Sequence, residues 1–143
     1  MNVKDCMSAD VRMTSPQQTI REVARMMREA DAGAIPVGEN DRLVGMITDR
    51  DIAIRAVAEG KGSDTPVREV MTGEVNYCFD DEDLDSVALK MSDMKVRRLP
   101  VLNRDKRLVG MVSLGDIAQD GDGSRGAAAL SGVSQPGGPH THA

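Results

Sequence analysis

With 143 residues the chain has the length of one ordinary domain, and its net charge of -5 argues against a general affinity for nucleic acid or for anionic lipid. Hydrophobic residues make up 40% of the sequence, but with one Tyr, one Phe and no Trp the core must consist of aliphatic residues and Met. No apolar run approaches the roughly 20 residues of a membrane span, and the first residues do not resemble a cleavable signal. We therefore expect a cytoplasmic protein with reduced, core-packed cysteines.

The sequence repeats itself with a period of 64 residues, as in the pairs Met7 and Met71, Ile20 and Leu84, Val23 and Val87, Ala24 and Ala88, Met27 and Met91, and Pro36 and Pro100. Beyond the prolines the spacing becomes 65, as in Gly45 and Gly110. This slip predicts one extra residue in the second of two hairpin loops. We expect two repeats, 1–62 and 63–120, that share one core because each is small, followed by a largely flexible Gly-, Ser- and Pro-rich tail, 121–143.

The first repeat begins with an extended segment and then predicts a helix over 19–30, with its start marked by Ser15 and Pro16. Two strands follow, 34–37 and 43–47, joined by a turn at 38–41. A second helix is expected from about 49 to 59, ended by Gly60 and Gly62. Gly45 lies within the second strand, where a missing side chain lets either another backbone segment or a ligand come close.

The second repeat predicts the same order of elements. The acidic run Asp80–Asp83 precedes its first helix, where negative charge favours the helix start; a metal site is the alternative interpretation. The strands are expected at 98–101 and 108–112, and the final helix is short because Gly121 and Gly123 follow it. The pair His140 and His142 in the tail is a further candidate metal site. A stripe of four methionines either lines a cofactor pocket or packs in the core or between subunits: Met26, Met27, Met91 and Met94.

A hydroxyl residue and an aspartate three positions later follow each glycine-bearing strand: Thr48 with Asp51, and Ser113 with Asp116. This spacing is typical of a capping box, which closes the amino end of a helix. The same groups also suit a nucleotide, because an aspartate accepts hydrogen bonds from ribose hydroxyls and free N–H groups suit a phosphate. The pattern alone leaves both interpretations open.

The ordered pattern of extended segment, helix, strand with Pro-Val, glycine-bearing strand and hydroxyl-x-x-Asp, present twice, resembles the CBS domain. The tandem copy resembles a CBS pair, or Bateman module, over roughly Val3 to Ala118, and it is most similar to stand-alone bacterial CBS-pair proteins. The resemblance implies an α/β fold of two β-α-β-β-α units with pseudo-two-fold symmetry. It also implies two clefts between the units that bind adenosine-containing ligands.

The resemblance further assigns candidate binding residues. It implies that Asp51 and Asp116 bind ribose and that Thr48 and Ser113 contact ribose or phosphate. The segments 11–13 and 75–77 resemble those that hold the adenine edge through backbone groups, while apolar walls come from Ile35, Pro36, Leu99 and Pro100. Met13 aligns with Tyr77, which either stacks on an adenine or packs in the core.

The two clefts are not expected to be equivalent. Arg97 and Arg98 occupy positions that are Gly33 and Ala34 in the first repeat, whereas Arg50 is matched by Gly115. Arginines form strong charge-assisted bonds to phosphate, so these residues favour anionic ligands; a solvated surface role or a dimer contact is the alternative.

We expect a non-catalytic sensor that binds AMP, ADP or ATP, or alternatively NAD or S-adenosylmethionine, with no required cofactor and no metal. A catalytic role would need an activated nucleophile, and neither cysteine has a neighbouring histidine in the sequence. We also expect a homodimer and an unidentified protein partner, without nucleic acid or membrane binding. The rival hypothesis is a structural or interaction module whose hydroxyl-x-x-Asp pairs serve only as helix caps.

Overall fold

A computed structural model describes residues 1–120 of the chain. Two compact units make up this part: the first unit is Arg12–Val75, and the second unit is Met1–Val11 together with the chain from Asn76 onward. The units therefore do not coincide with the sequence repeats, because the first unit contains residues 63–75 of the second repeat and the second unit contains Met1–Val11 of the first repeat. The predicted flexible tail and the His140–His142 pair lie outside the described residues.

The first unit contains one long helix and a β-hairpin. Helix α1 (Ile20–Ala30) precedes strands β1 (Ala34–Glu39) and β2 (Arg42–Thr48), which pair antiparallel. Helix α2 (Asp49–Asp51) continues directly as a π-helical segment (Ile52–Val57), so the predicted second helix is present with a widened last part. A 3₁₀ turn (Val67–Glu69) completes the unit.

The second unit repeats this plan with one additional strand. A 3₁₀ turn (Val3–Asp5) is followed, after the first unit, by β3 (Cys78–Phe79), α3 (Leu84–Met94), β4 (Arg98–Leu102), β5 (Leu108–Ser113) and α4 (Leu114–Asp120). Strand β3 runs parallel to β4, and β4 pairs antiparallel with β5. In the first unit the position of β3 is taken by a single parallel bridge between Thr14 and Val37. The strand pairing therefore begins at Thr14 and Cys78, each directly after the segments 11–13 and 75–77.

Side-chain caps fix the starts of α1 and α3. The Thr19 hydroxyl accepts a hydrogen bond from the Glu22 N–H (3.2 Å), and the Asp83 carboxylate accepts one from the Asp85 N–H (2.9 Å). Ser15 and Pro16 lie about one turn before the actual start of α1, because Thr19 provides the cap. Both helices end at a residue with left-handed backbone conformation, Asp31 (φ 52°) and Lys95 (φ 57°).

The hairpin loops account for the change of spacing between the repeats. Asn40 and Asp41 form a two-residue loop with positive φ at both positions, which matches the twist of the strands that they join. Residues 103–107 form the corresponding, longer loop. Both hairpins also shift register immediately after the pairs Val37–Gly45 and Val101–Gly110. The predicted insertion in the second hairpin loop is therefore confirmed.

The buried apolar residues form two clusters, one in each unit, and this differs from the single shared core that the small size of the repeats predicts. The cluster of the first unit includes Val23, Ile35 and Ile47, and that of the second includes Val87, Leu99 and Val112. Met27 and Met91 are members of these clusters, and Met26 and Met94 pack against them. The methionine stripe therefore contributes to the cores.

The exchanged segments, 63–75 and Met1–Val11, cover the outer edges of strands β2 and β5, respectively. Thr72 exchanges two backbone hydrogen bonds with Met46 (2.8 and 2.9 Å), and Ser8 does the same with Met111 (2.8 and 3.0 Å). A Cβ atom on Gly45 would lie 2.8 Å from the Thr72 carbonyl oxygen, and one on Gly110 would lie 2.8 Å from that of Ser8. The glycines in these strands thus allow the close approach of another backbone segment.

Candidate functional site

The two hydroxyl-x-x-Asp pairs form complete capping boxes at the ends of β2 and β5. The Asp51 N–H donates to the Thr48 hydroxyl (3.0 Å), and the Thr48 N–H donates back to Oδ2 of Asp51 (2.9 Å). Ser113 and Asp116 form the same reciprocal bonds at 3.1 and 3.0 Å. The structural role that the spacing predicted is therefore present in both units.

Each capping box leaves part of its carboxylate available. Asp51 and Asp116 are half-buried, and both use Oδ2 for the cap. Within residues 1–120, Oδ1 of either carboxylate accepts no hydrogen bond from the protein. A carboxylate oxygen has two lone pairs, so each group keeps the capacity to accept hydrogen bonds from a ligand.

We call the residues around these boxes the first-repeat site (33, 34 and 48–51) and the second-repeat site (97, 98 and 113–116). An equivalent backbone bond in both repeats ties each box to the start of the preceding hairpin: the Asp49 N–H donates to the Gly33 carbonyl (2.9 Å), and the Leu114 N–H donates to the Arg97 carbonyl (3.0 Å). The two sites therefore have equivalent backbone frames and differ in their side chains.

Three arginines of these sites are exposed and have no protein partner within the described residues. Arg50 lies in the first-repeat site, and Arg97 and Arg98 lie in the second-repeat site. No hydrogen bond or ion pair of their guanidinium groups is found over residues 1–120. By contrast, Arg104 is held by Asp81 (2.7 Å), and Arg12 by Glu29 (2.8 Å). The guanidinium groups of the two sites are thus available to an anionic ligand.

The predicted adenine-contacting side chains pack within their own units. The Met13 thioether lies against Gly38, at a position that a Cβ on this glycine would occupy. The Tyr77 ring meets the Phe79 ring edge to face with centroids 5.5 Å apart, and the Tyr77 carbonyl accepts a bond from Lys90. Both Met13 and Tyr77 remain half-buried, so part of each side chain is still accessible.

The predicted apolar walls are deeply placed. Ile35 and Leu99 are 2% and 1% exposed and belong to the hydrophobic clusters, so their side chains are used in core packing. Pro36 and Pro100 are also buried, but they lie outside these clusters. If Ile35 or Leu99 contacts an adenosyl ligand, it does so from within the hydrophobic core of its unit.

The acidic run before α3 forms protein contacts instead of a cluster of metal ligands. Asp83 caps the helix, and Asp81 forms a two-pronged ion pair with Arg104, whose guanidinium also lies 4.1 Å from the centre of the Phe79 ring. Hydrogen bonding to Arg104 lowers the pKa of Asp81. Over residues 1–120 no group of three or more His, Cys, Asp or Glu side chains is placed to hold a metal ion.

The residue after each capping hydroxyl also differs between the two sites, although the sequence pattern did not identify it as a site residue. Asp49 in the first-repeat site corresponds to Leu114 in the second, so one repeat has an additional carboxylate where the other has an apolar side chain. A Cβ on Gly33 would lie 3.1 Å from Oδ2 of Asp49, which places this carboxylate beside the position of Arg97 in the second repeat. The alignment that pairs Arg50 with Gly115 also pairs Asp49 with Leu114, so the signal is present in the sequence.

The CBS domain model matches residues 3–57 and 67–120. The chain belongs to the CBS domain family. The matched segments contain both capping boxes, and the predicted α/β fold of two CBS repeats is confirmed. No helix in the described part of this CBS-pair protein is long and apolar enough to cross a membrane.

Relatives share most of the chain. The CBS domain-containing protein YhcV of Bacillus subtilis is 44% identical over 117 residues, which are 82% of this chain and 83% of YhcV. The crystal structure of Hypoxic Response Protein I with two coordinated zinc ions has a TM-score of 0.76 and 36% identity, covering 84% of this chain and 98% of that one.

Two further similar structures contain adenosyl ligands. The CBS domain pair of protein MJ0100, in complex with 5′-methylthioadenosine and S-adenosyl-L-methionine, has a TM-score of 0.73 and 32% identity, covering 83% of this chain and 94% of that one. CBSX2 in complex with AMP has a TM-score of 0.73 and 25% identity, covering 82% and 93%. Proteins similar to this chain thus bind adenosyl compounds with and without a phosphate.

Proposed function

We propose that this CBS-pair protein is a non-catalytic sensor that binds an adenine nucleotide or a related adenosyl compound and signals its occupancy to a partner protein. The observation that carries the proposal is the unused Oδ1 atom of Asp51 and Asp116, in carboxylates that the capping boxes hold in place. A carboxylate fixed in this way loses little conformational freedom when it accepts hydrogen bonds from ribose hydroxyls.

The neighbouring groups complete a nucleotide-binding set. The hydroxyls of Thr48 and Ser113 accept the cap bond and can still donate their own proton to a ligand oxygen. Arg50, Arg97 and Arg98 supply positive charge for a phosphate. The complexes of MJ0100 and CBSX2 support this ligand class, because a ribose and an adenine are common to all three bound compounds.

The proposed mechanism is a shift of population. A ligand that binds one arrangement of the two repeats more tightly stabilises that arrangement by its difference in affinity, and a partner protein reads the change. No covalent step is needed, in keeping with the generally regulatory role of CBS pairs. We place this activity in the cytoplasm.

We also propose that the protein works as a homodimer. Ile54 and Val57 lie three residues apart after α2 and are 51% and 68% exposed, and Leu89 on α3 is 62% exposed. A second copy that covered these side chains would remove their apolar surface from water. Light scattering at micromolar concentration tests this proposal, and a monomeric mass would contradict it.

Thermal unfolding with AMP, ADP, ATP, NAD and S-adenosylmethionine tests the sensing function. A ligand at about 100 times its Kd should stabilise the protein by roughly 2.7 kcal/mol. The stabilisation should be lost at the altered site in Asp51→Ala and Asp116→Ala. Asp83→Ala is the matched control, because it removes a capping carboxylate from α3 but leaves both sites intact. It should lower the stability by about 1 kcal/mol without changing the ligand response.

A structural module with empty clefts is the second candidate function. The reciprocal capping bonds favour it, since they give Thr48, Asp51, Ser113 and Asp116 a complete structural role. This alternative predicts that none of the five compounds raises the unfolding temperature. It also predicts equal losses of stability in Asp51→Ala and Asp83→Ala at every ligand concentration.

A further inference from the structure

The two candidate sites differ in charge although their backbones are equivalent. The Asp49–Gly33 and Leu114–Arg97 backbone bonds, at 2.9 and 3.0 Å, align the sites residue by residue. On this common frame the first-repeat site has two carboxylates and one guanidinium, whereas the second-repeat site has two guanidiniums and one carboxylate. The net side-chain charge is therefore negative at the first site and positive at the second.

In the first-repeat site the charge of Arg50 is offset by its neighbours. Oδ1 of Asp49 accepts a hydrogen bond from the backbone N–H of Arg50 (2.8 Å), so this carboxylate is held next to Arg50, and the Asp51 carboxylate lies in the same helical turn. The Asp49 carboxylate also lies beside Gly33 and is exposed. A phosphate that approached this frame would meet an additional negative charge, and like charges oppose binding.

Among the six residues that define the second-repeat site, Asp116 is the only acidic one. Leu114 replaces Asp49, and Arg97 and Arg98 replace Gly33 and Ala34. Both arginines are exposed and lack a protein partner over residues 1–120, so a phosphate need not displace an existing ion pair to reach them. Charge-assisted bonds from guanidinium to phosphate are stronger than bonds between neutral groups.

We infer that the two sites select adenosyl ligands by charge, with phosphate-bearing nucleotides at the second-repeat site and phosphate-free adenosyl compounds at the first. This inference rests on the proposed function, because it assumes that the sites bind adenosyl ligands. Asp49 is then the residue that rejects phosphate at the first site, and Arg97 with Arg98 attracts it at the second. The protein would respond to two classes of adenosyl compound at once.

Calorimetry with AMP and adenosine, which differ by the phosphate alone, tests the inference one site at a time. Asp51→Ala leaves the second-repeat site, which should bind AMP at least tenfold more tightly than adenosine, with an affinity that falls as salt is raised. Asp116→Ala leaves the first-repeat site, which should bind adenosine at least as tightly as AMP. Adding Asp49→Leu, the residue of the other repeat, should raise the AMP affinity of this site about tenfold.

The arginines are tested in the Asp51→Ala background. Arg97→Ala with Arg98→Ala should weaken AMP at least tenfold and adenosine less than threefold, while Arg28→Ala, an exposed arginine of α1, should change neither. If a capping variant fails to fold, Asp51→Asn or Asp116→Asn retains an oxygen for the cap. In the unaltered protein, amide NMR shifts of Thr48 and Ser113 should then respond selectively to adenosine and AMP, respectively.

The outcomes separate the inference from the proposed function. Equal AMP-to-adenosine ratios at both sites, or an unchanged ratio in Asp49→Leu and in the double arginine variant, would overturn charge selection and leave adenosyl sensing intact. No binding of either compound, or of S-adenosylmethionine, would overturn both. A preference of the first-repeat site for AMP would also contradict the inference.

Discussion

The carbonyl oxygen of Thr72 lies so close to Gly45 that a methyl group there would come within 2.8 Å of it. Ser8 and Gly110 have the same relationship in the second unit. In both cases a segment from the other repeat forms a two-bond bridge with a strand that would otherwise present an open edge. The glycine and the bridging segment therefore depend on each other.

Gly45→Ala and Gly110→Ala should each destabilise the protein by about 1–3 kcal/mol, because the methyl group forces the bridging backbone away from the strand. Urea unfolding measures the change. Gly62→Ala and Gly73→Ala are the matched controls, since a Cβ there meets nothing within 4 Å. They should change the free energy of unfolding by no more than about 0.5 kcal/mol. Equal effects at Gly45 and Gly62 would contradict the close packing.

Val3→Ala should weaken the second unit, although the residue precedes the first unit in the chain. Val3 is fully buried in the cluster of the second unit, so the substitution should cost about 2 kcal/mol. Relative to the unaltered protein, the variant should lose hydrogen-exchange protection in β5 and keep it in α1. Lys4→Ala is the control at a neighbouring exposed residue, and it should leave the stability and the protection of β5 and α1 unchanged. A loss of protection confined to α1 would be inconsistent with the exchange of segments.

Asp31→Gly should stabilise the protein by about 0.5–1 kcal/mol. Asp31 ends α1 with φ 52°, a conformation that costs energy for a residue with a side chain and none for glycine. Ala24→Gly, at an exposed position within the same helix, should have the opposite effect, with a loss of about 1 kcal/mol. Thermal unfolding measures the change in stability of each variant. Destabilisation by both substitutions would rule out the relief of backbone strain at Asp31.

Stability should fall in alkaline solution because of Cys78. Burial, with a smaller contribution from Glu82, raises the pKa of this thiol from 9.0 to about 12. The folded state holds the proton more tightly, so this stabilisation is complete below about pH 9 and is lost as the pH rises towards 12. The slope approaches about 1.4 kcal/mol per pH unit. Urea unfolding at pH 8 to 11 should show a shallower slope for Cys78→Ala, and parallel slopes would disprove the linkage.

The sequence predicts the elements of each repeat well, because local patterns determine them. The apolar spacing from Ile20 to Met27 marks α1, and Thr48 with Asp51 marks the start of α2. The slip of one residue correctly locates the longer hairpin loop. Capping and periodicity are properties of a few neighbouring residues, so one repeat is sufficient to recognise them.

Long-range pairing was not predictable in this way. The segments that precede the two repeats' first helices, Met1–Val11 and 63–75, have nearly the same pattern. The periodicity therefore does not show that Val3 joins the second unit and Val67 the first. Gly45 indicates that another group comes close to β2, but it does not indicate that this group is the Thr72 backbone. The difference between Asp49 and Leu114 is visible once the repeats are aligned, but its importance depends on the backbone bond that places Asp49 beside Gly33, and the repeat pattern does not show that bond.

The exchanged segments also impose an order on folding during synthesis. Met1–Val11 leaves the ribosome first, but its bridging partner, Met111 of β5, is made about one hundred residues later. The segment 63–75, in contrast, follows the hairpin that it completes after only the short helix 49–57. The first unit can therefore fold early, whereas Met1–Val11 cannot pair with β5 until translation of the second repeat is almost finished.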